Sequence, residues 1–357
     1  MADQALDRSR ELAESVRFSE DRLWGHQPDD HTAADRVSSL SALNDLEISK
    51  AVTPDLARLL AETYSELSVP SHSVKTFVYA SPEIQAECFS ASSTECVLRF
   101  SSSLIDLLDE DEVRFVAGHE LGHFLLSHGK SNSATEPESL EFYMQRRYQE
   151  ISADRIGLLA CQDLSTAVRT LIKITSGLSD KHIRFDVGAF LRQLRHVGKE
   201  NYAAEIGATH PSVLVRARAL LWFSMGRAFS REPGETSLED IDNLDKRVKE
   251  DLERYVDKPA QRLLSDARDK VTLWVLAEKV TRRGVFRKEE QQVVIDLLDK
   301  EAMEGLSRFL SGLDSVTAAE EVGRRLSVAI QDLNALIPNR VAEELPKIQQ
   351  LVDSSIS

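Results

Sequence analysis

Apolar residues recur at helical spacing along most of the chain, and the pattern becomes strand-like only between residues 74 and 100. Helices are predicted at residues 53–67, 112–128 and about 137–162, and at several segments beyond residue 238. Short strands are predicted at residues 74–79, 88–90 and 96–100. The expected fold is therefore α+β and mainly helical, with a small sheet beside the helix at residues 112–128.

Three parts of the chain differ in composition. Residues 1–40 are polar and predict an N-terminal arm, which is either a loosely attached helix or partly disordered. Residues 230–237 combine polarity with Pro233 and Gly234 and predict a linker. The expected domains are therefore 41–229 and 238–357. Because residues 238–357 contain no metal or nucleophile cluster, we predict an all-helical domain that binds a protein partner or associates with itself.

Charge and cysteine content limit the classes of function. The chain has 44 Lys and Arg against 59 Asp and Glu, a net charge of −15, which argues against nucleic acid as a partner. Its three cysteines include no CxxC pair and predict core thiols. No apolar run is long enough to cross a membrane, and the first residues lack the apolar core of a signal peptide. We therefore expect a soluble, cytoplasmic protein without an integral membrane segment.

The helix at residues 112–128 carries an HExxH pattern, formed by His119, Glu120 and His123. Residues four apart lie on one face of a helix, so the two histidines can bind one metal ion between them. Glu120 is rotated away from this face and can accept a proton from a bound water. Apolar neighbours predict that the helix is buried, and Gly122 leaves its backbone open to close approach. The pattern favours a zinc hydrolase.

The second helix carries two acidic residues on one face, Glu150 and Asp154. Together with the two histidines, one carboxylate from a facing helix would complete the three protein ligands of a catalytic zinc. Asp154 would then accept a hydrogen bond from a ligand imidazole and fix its tautomer. The alternative is a pair of solvated helix acids. The small residues Ala153 and Gly157 favour the first interpretation, because they suggest that this face packs against another helix.

The segments HELGH and QEISADRIG together resemble the zinc metallopeptidases of the HtpX and CAAX prenyl endopeptidase type, peptidase family M48. The resemblance implies a gluzincin-like fold and one Zn²⁺ per chain, held by His119, His123 and Glu150. It also implies an endopeptidase that hydrolyses polypeptides with a zinc-bound water activated by Glu120. Glu150 follows His123 by 150 − 123 = 27 positions. Families with a shorter gap would use Glu138 or Glu141, which lack the ADRIG context.

A third segment, THPSVLVRARAL, resembles the late THP segment of the same family and contains His210 and Arg216. The resemblance implies that His210 lies near the zinc, where it either stabilises the oxyanion or occupies the open coordination position. His128 lies off the ligand face and is interpreted as a helix C-terminal residue that interacts with the dipole. The segment Ala86–Ser90 differs from the family's Asn-Ala-Phe substrate strand. A zinc-binding, chaperone-like or latent protein with little turnover is the alternative function.

Overall fold

The computed structural model of the protein describes residues 2–22, 40–128, 139–184, 186–195, 211–229, 239–283 and 287–356. Most of these residues are helical, as the periodicity predicts. The principal helices are α1 (Ala2–Val16), α2 (Ser19–Arg22), α3 (Pro54–Glu66), α4 (Ser102–Leu107), α5 (Glu110–Leu125), α6 (Leu140–Cys161), α7 (Leu164–Ser176), α8 (Val187–Leu191), α9 (Val213–Ser224), α10 (Ile241–Leu252), α11 (Lys258–Arg283), α12 (Lys288–Leu297), α13 (Lys300–Leu310), α14 (Ser315–Leu336) and α15 (Val341–Ser355).

The strands form one mixed sheet in the order β1-β2-β4-β3, with β1 (Leu46–Glu47), β2 (Val74–Tyr79), β3 (Ala86–Ser90) and β4 (Cys96–Ser101). Strands β2 and β4 are parallel, and the other two pairs are antiparallel. Among the described strands β3 is paired on one side only, and it packs against α5. The three predicted strands are confirmed. Strand β1 was not predicted, because its two residues are exposed and carry no pattern.

The chain divides into two compact units, of which the first contains the sheet and most of the helices up to Val256. Its core includes residues of α1, α3, β4, α5 and α6. Residues 2–22 contribute Leu6, Ala13 and Val16 to this core, although their polarity predicts an arm. All three cysteines are buried, as expected for core thiols. The predicted linker lies outside the described residues, and the predicted domain boundaries stay a prediction.

Helices α5 and α6 pack closely because small residues face each other at their contact. A Cβ added to Gly118 would lie 2.5 Å from the Ala160 Cβ. At Gly157 an added Cβ would lie 2.8 Å from the carbonyl oxygen of Phe115. Neither distance is compatible with a side chain unless the backbone moves. A Cβ at Gly122 would lie 3.1 Å from the Cα of Ala153. The close approach predicted from Gly122 and Gly157 is therefore confirmed, and it brings the HExxH helix against the helix that carries Glu150.

The second unit consists of the described residues from Asp257 onward and the first residues of α6, to Met144. Helix α11 packs against α14 and α15. The rings of Trp274 and Phe309 meet edge to face at 5.4 Å, and the guanidinium of Arg325 lies over both. Within the ranges that the structure describes, no helix combines the length and hydrophobicity needed to cross a membrane.

Candidate metal centre

The start of α5 is fixed by hydrogen bonds and buried ion pairs. Asp109 and Glu112 form a capping box, in which each carboxylate accepts the backbone N–H of the other residue at 2.9 Å. The Glu112 side chain is fully buried and also accepts hydrogen bonds from Arg169 and Lys173 of α7, at 2.6 and 2.8 Å. These contacts set the rotation and axial position of α5. The positions of its histidines follow from that placement.

Three side chains converge where α5 faces α6. The Nε2 atoms of His119 and His123 are 3.2 Å apart. Glu150 places Oε2 3.5 Å from the first nitrogen and Oε1 3.4 Å from the second. Two imidazole nitrogens and one carboxylate form the donor set of a catalytic zinc with three protein ligands. Within the described ranges, these three residues are the group of histidine, cysteine and acidic side chains that could hold a metal ion.

His119 is held by a carboxylate on the side away from this cluster. Its Nδ1 lies 3.0 Å from Asp154 Oδ1, within hydrogen-bond distance. Arg216 of α9 donates to both oxygens of Asp154, at 2.8 and 2.6 Å, and its Nη1 lies 3.4 Å from Glu150 Oε2. The guanidinium therefore lies between two buried carboxylates. With its Nδ1 hydrogen donated to Asp154, His119 presents the lone pair of Nε2 to the cluster.

The charges around Arg216 change the protonation of its neighbours. Burial alone would raise the pKa of Glu150, but Arg216 and the two imidazoles hold it well below its ordinary value. The pKa of Asp154 is also lowered, since Arg216 and His119 outweigh its burial. Burial acts to lower the pKa of His119, but the hydrogen bond to Asp154 and the nearby Glu150 raise it overall. Both carboxylates are thus ionised at neutral pH, as metal binding by Glu150 requires.

His123 is held by a second histidine. Its Nδ1 lies 3.0 Å from the Nδ1 of His128, whose Nε2 lies 3.0 Å from Asp21 Oδ2. The side chains of His128 and Asp21 are fully buried. This differs from the interpretation of His128 as a dipole-binding residue at the helix end, because α5 already ends at Leu125 and His128 points back toward His123.

A pocket opens beside the cluster, with a volume of about 200 Å³. His119, Glu120, Glu150 and Arg216 form its polar part. The rest of its wall comes from the start of β3, from α4, α5 and α7, and is largely apolar: Ile84, Gln85, Ala86, Leu104, Phe115, Val116, Leu171, Ile174 and Thr175. Glu120 is half-buried, so its carboxylate is accessible from this pocket. The arrangement can hold an apolar side chain next to a metal ion and a carboxylate base.

The structure brings five of the predicted site residues together, namely His119, Glu120, His123, Glu150 and Asp154. His210 and Glu138 lie outside the described residues. Glu141 is engaged elsewhere, where its Oε2 accepts the backbone N–H of Asn339 at 2.9 Å.

Sequence reasoning did not identify Asp21 or the role of His128. Asp21 is 107 positions from His128, and no local pattern links them. For His128 a pattern was available, because it follows His123 by five positions across a helix end.

A sequence model of peptidase family M48 matches residues 50–143 and 138–222, which together span residues 50–222. The plastoglobule-localized metallopeptidase 48 of Arabidopsis thaliana, a chloroplast protein, is 28% identical over 201 residues. The match covers 48% of this chain and 58% of that relative, so the chain spans little more than half of the relative's length. No solved structure matches the chain significantly.

Proposed function

We propose that the chain is a zinc-dependent endopeptidase of peptidase family M48, whose sequence model matches residues 50–222. The observation that carries this proposal is the convergence of His119, His123 and Glu150 beside Glu120, next to a pocket with a polar and an apolar part. The match to a metallopeptidase of Arabidopsis supports it. A zinc ion that had only a structural role would need no base beside it and would usually have four protein ligands.

In the proposed reaction, His119, His123 and Glu150 hold one Zn²⁺. Zinc would supply a Lewis acid that polarises the scissile carbonyl and lowers the pKa of water in the cleft. Glu120 accepts the proton from the attacking water and delivers it to the leaving amine. Arg216 keeps Glu150 ionised and Asp154 in place, so that the ligand set does not shift during the proton transfer.

A polypeptide substrate can be held in two ways by the residues beside the cluster. Among the described strands, β3 lies last in the sheet, where an extended peptide backbone could pair with it without regard to sequence. The apolar wall formed by Leu104, Val116 and Leu171 would bind an aliphatic or aromatic side chain next to the scissile bond. Ala86, at the start of β3, and these apolar residues line the same pocket as Glu120. We therefore propose cleavage next to an apolar residue in an extended segment.

Three further predictions stay part of the proposal. His210 either stabilises the oxyanion or occupies the open coordination position. Residues 238–357 bind a protein partner or a second copy of the chain. The location is proposed to be cytoplasmic, while the name of the Arabidopsis relative assigns that protein to the chloroplast plastoglobule.

The test combines zinc analysis with hydrolysis of unfolded casein. Glu120→Gln is expected to keep one zinc per chain and to lose activity by a factor on the order of 10² to 10⁴, because the general base is removed. The control is Glu110→Gln, an exposed acid on the same helix, which should retain activity. A fully active Glu120→Gln protein would disprove the mechanism. Zinc binding by a wild type that hydrolyses nothing would favour the chaperone-like alternative.

The third ligand is tested with two buried glutamates of the same helix. Glu150→Ala should lose zinc, while Glu141→Ala should keep it, because Glu141 contacts the backbone of Asn339 and not the histidines. Zinc content measured after dialysis against a weak chelator distinguishes the two. Equal loss in both variants would remove Glu150 from the ligand set.

A further inference from the structure

The end of helix α5 brings His128 against His123 through its backbone. Ser127 adopts a left-handed conformation with φ 53°, although it is not glycine. The N–H of His128 then bonds to the carbonyl oxygen of His123 at 2.8 Å, and the N–H of Ser127 bonds to that of Phe124 at 3.2 Å. This pair of bonds is the Schellman motif, in which the second residue beyond the C-cap folds back over the last full turn. An apolar contact between these two positions often accompanies the motif, whereas here two imidazoles meet, with ring centroids 5.2 Å apart.

The charge of Asp21 determines which atoms donate in the hydrogen bonds that join Asp21, His128 and His123. Burial acts to raise the pKa of Asp21, but His128 and Arg17 hold this pKa well below its ordinary value. The Asp21 carboxylate is therefore ionised and can only accept hydrogen bonds. His128 must therefore donate its Nε2 hydrogen to Asp21. The Nε2 atom of His123 faces Glu150 and His119, and it needs a free lone pair to bind a metal ion. The ring hydrogen of His123 then lies on Nδ1, and the Nδ1 of His128, 3.0 Å away, accepts it.

This leaves the Nε2 atom of His123 without a hydrogen, facing Glu150 and the Nε2 atom of His119. We propose that the Asp21–His128 pair positions His123, fixing its ring orientation and the tautomer that binds metal. Asp21 itself is held by Arg17 Nε at 2.9 Å and by the hydroxyl of Ser152 at 2.7 Å. The segment from Arg17 to Asp21 is thereby part of the metal centre, although it lies about 100 positions before the ligands.

The inference rests on the proposed zinc site, but its first test needs no zinc. In ¹⁵N-labelled, zinc-free protein, long-range nitrogen–proton spectra distinguish the two tautomers of each neutral histidine. We expect His123 to carry its hydrogen on Nδ1 and His128 on Nε2, with signals assigned by substitution. His128 protonated on both nitrogens, or His123 protonated on Nε2, would overturn the proposal whatever the chain does with zinc.

The second test uses substitutions of His128 to distinguish its Nδ1 contact with His123 from its Nε2 contact with Asp21. In His128→Asn, the side-chain oxygen can replace Nδ1 and still accept from His123. In His128→Gln, the amide lies near the position of Nε2 and can reach only Asp21, and His128→Phe retains neither contact. Zinc affinity, measured by competition with a chromogenic chelator, should fall about 10-fold or more in the Gln and Phe variants and within about 3-fold in the Asn variant.

A purely structural role for His128 would give a different result, in which zinc affinity follows the loss of thermal stability across the three variants. The stability control is Thr63→Val, which removes a buried hydrogen bond to Leu59 in the same unit at 2.9 Å. It should lower the melting temperature without changing zinc affinity. Equal zinc affinity in the Asn, Gln and Phe variants would contradict the proposal.

The participation of Asp21 is tested by a double substitution. Asp21→Ala should weaken zinc binding in the wild-type background, because His128 is then no longer held in one tautomer. In the His128→Asn background the same change should have almost no further effect, since the contact between the two residues has already been removed. Independent effects of the two substitutions would show that Asp21 does not act through His128. If no variant and no wild-type protein binds zinc, the proposed function fails, and the tautomer measurement still decides the inference.

Discussion

The two histidines of the HExxH helix are held in different ways, although they have the same predicted role. His119 donates directly to a carboxylate, Asp154, which Arg216 neutralises. His123 faces a neutral imidazole, and the carboxylate of Asp21, neutralised by Arg17, stands one ring further away. Each support thus ends in a buried carboxylate and an arginine. The difference is the imidazole inserted on one side.

This difference determines how strongly each support changes the basicity of the ligand. A carboxylate in direct contact makes the ring a stronger base, and although burial acts to lower the pKa of His119, Asp154 and Glu150 raise it overall. A neutral imidazole orients the ring of His123 with much less charge. We therefore expect Asp154 and Arg216 to have the larger influence on stability and zinc affinity, and Asp21 and His128 the smaller one.

The largest effect is expected for Arg216→Ala. The change leaves Asp154 and Glu150 buried without their cation, and breaking such a buried pair costs about 3–5 kcal/mol. Because zinc would supply positive charge next to Glu150, the loss should be smaller in zinc-loaded protein than in zinc-free protein. Urea unfolding of both forms measures this.

Arg218→Ala is the matched control on the same helix. Its partner is Asp251, at 2.6 Å, and its side chain is one-third exposed, so the expected loss is at most about 1 kcal/mol. Equal losses of stability in the two variants would mean that the position of Arg216 between two carboxylates does not increase its contribution to stability.

The next effect is a pH dependence of the free energy of unfolding, which we expect from His128, the residue that holds His123. The pKa of His128 is lowered from 6.5 to about 4, so between these values the unfolded chain holds a proton that the folded chain lacks. The free energy of unfolding must then fall as the pH drops through this window, by about 3 kcal/mol in total. In zinc-free protein, this component should be missing from His128→Asn. Unfolding curves at several pH values between 6.5 and 4 measure the slope, and parallel slopes for wild type and variant would contradict the assignment.

The smallest effect is expected on zinc affinity, when the carboxylates of Asp154 and Asp21 are removed one at a time. Asp154→Ala should weaken zinc binding 10- to 100-fold, equivalent to about 1.4–2.7 kcal/mol. Asp21→Ala should weaken it less, because its influence passes through a neutral ring. The control is Asp163→Asn, which changes an N-cap of α7 to another good capping residue and should leave zinc affinity unchanged. A larger effect at Asp21 than at Asp154 would reverse the comparison.

Much of the fold and part of the centre could be predicted from local patterns. A change toward period two marked the region of β2, β3 and β4, and apolar residues on both sides of the histidines marked α5, which is buried on most of its faces. Ala153 and Gly157 indicated a close helix contact, since only small residues permit it. The pattern of His119, Glu120 and His123 follows from helix geometry alone, as does the common face of Glu150 and Asp154.

The connections between distant segments were decided only by the tertiary structure. The sequence alone predicts neither that α9 places Arg216 between two acids nor that Asp21 reaches His128, because no periodicity relates residues that meet across elements. The end of α5 is an intermediate case. The sequence predicted a helix extending to His128, but the left-handed backbone of Ser127 ends the helical bonding earlier and turns the histidine inward. That conformation costs energy in a non-glycine residue, and the buried contacts of His128 in the folded protein supply the compensation.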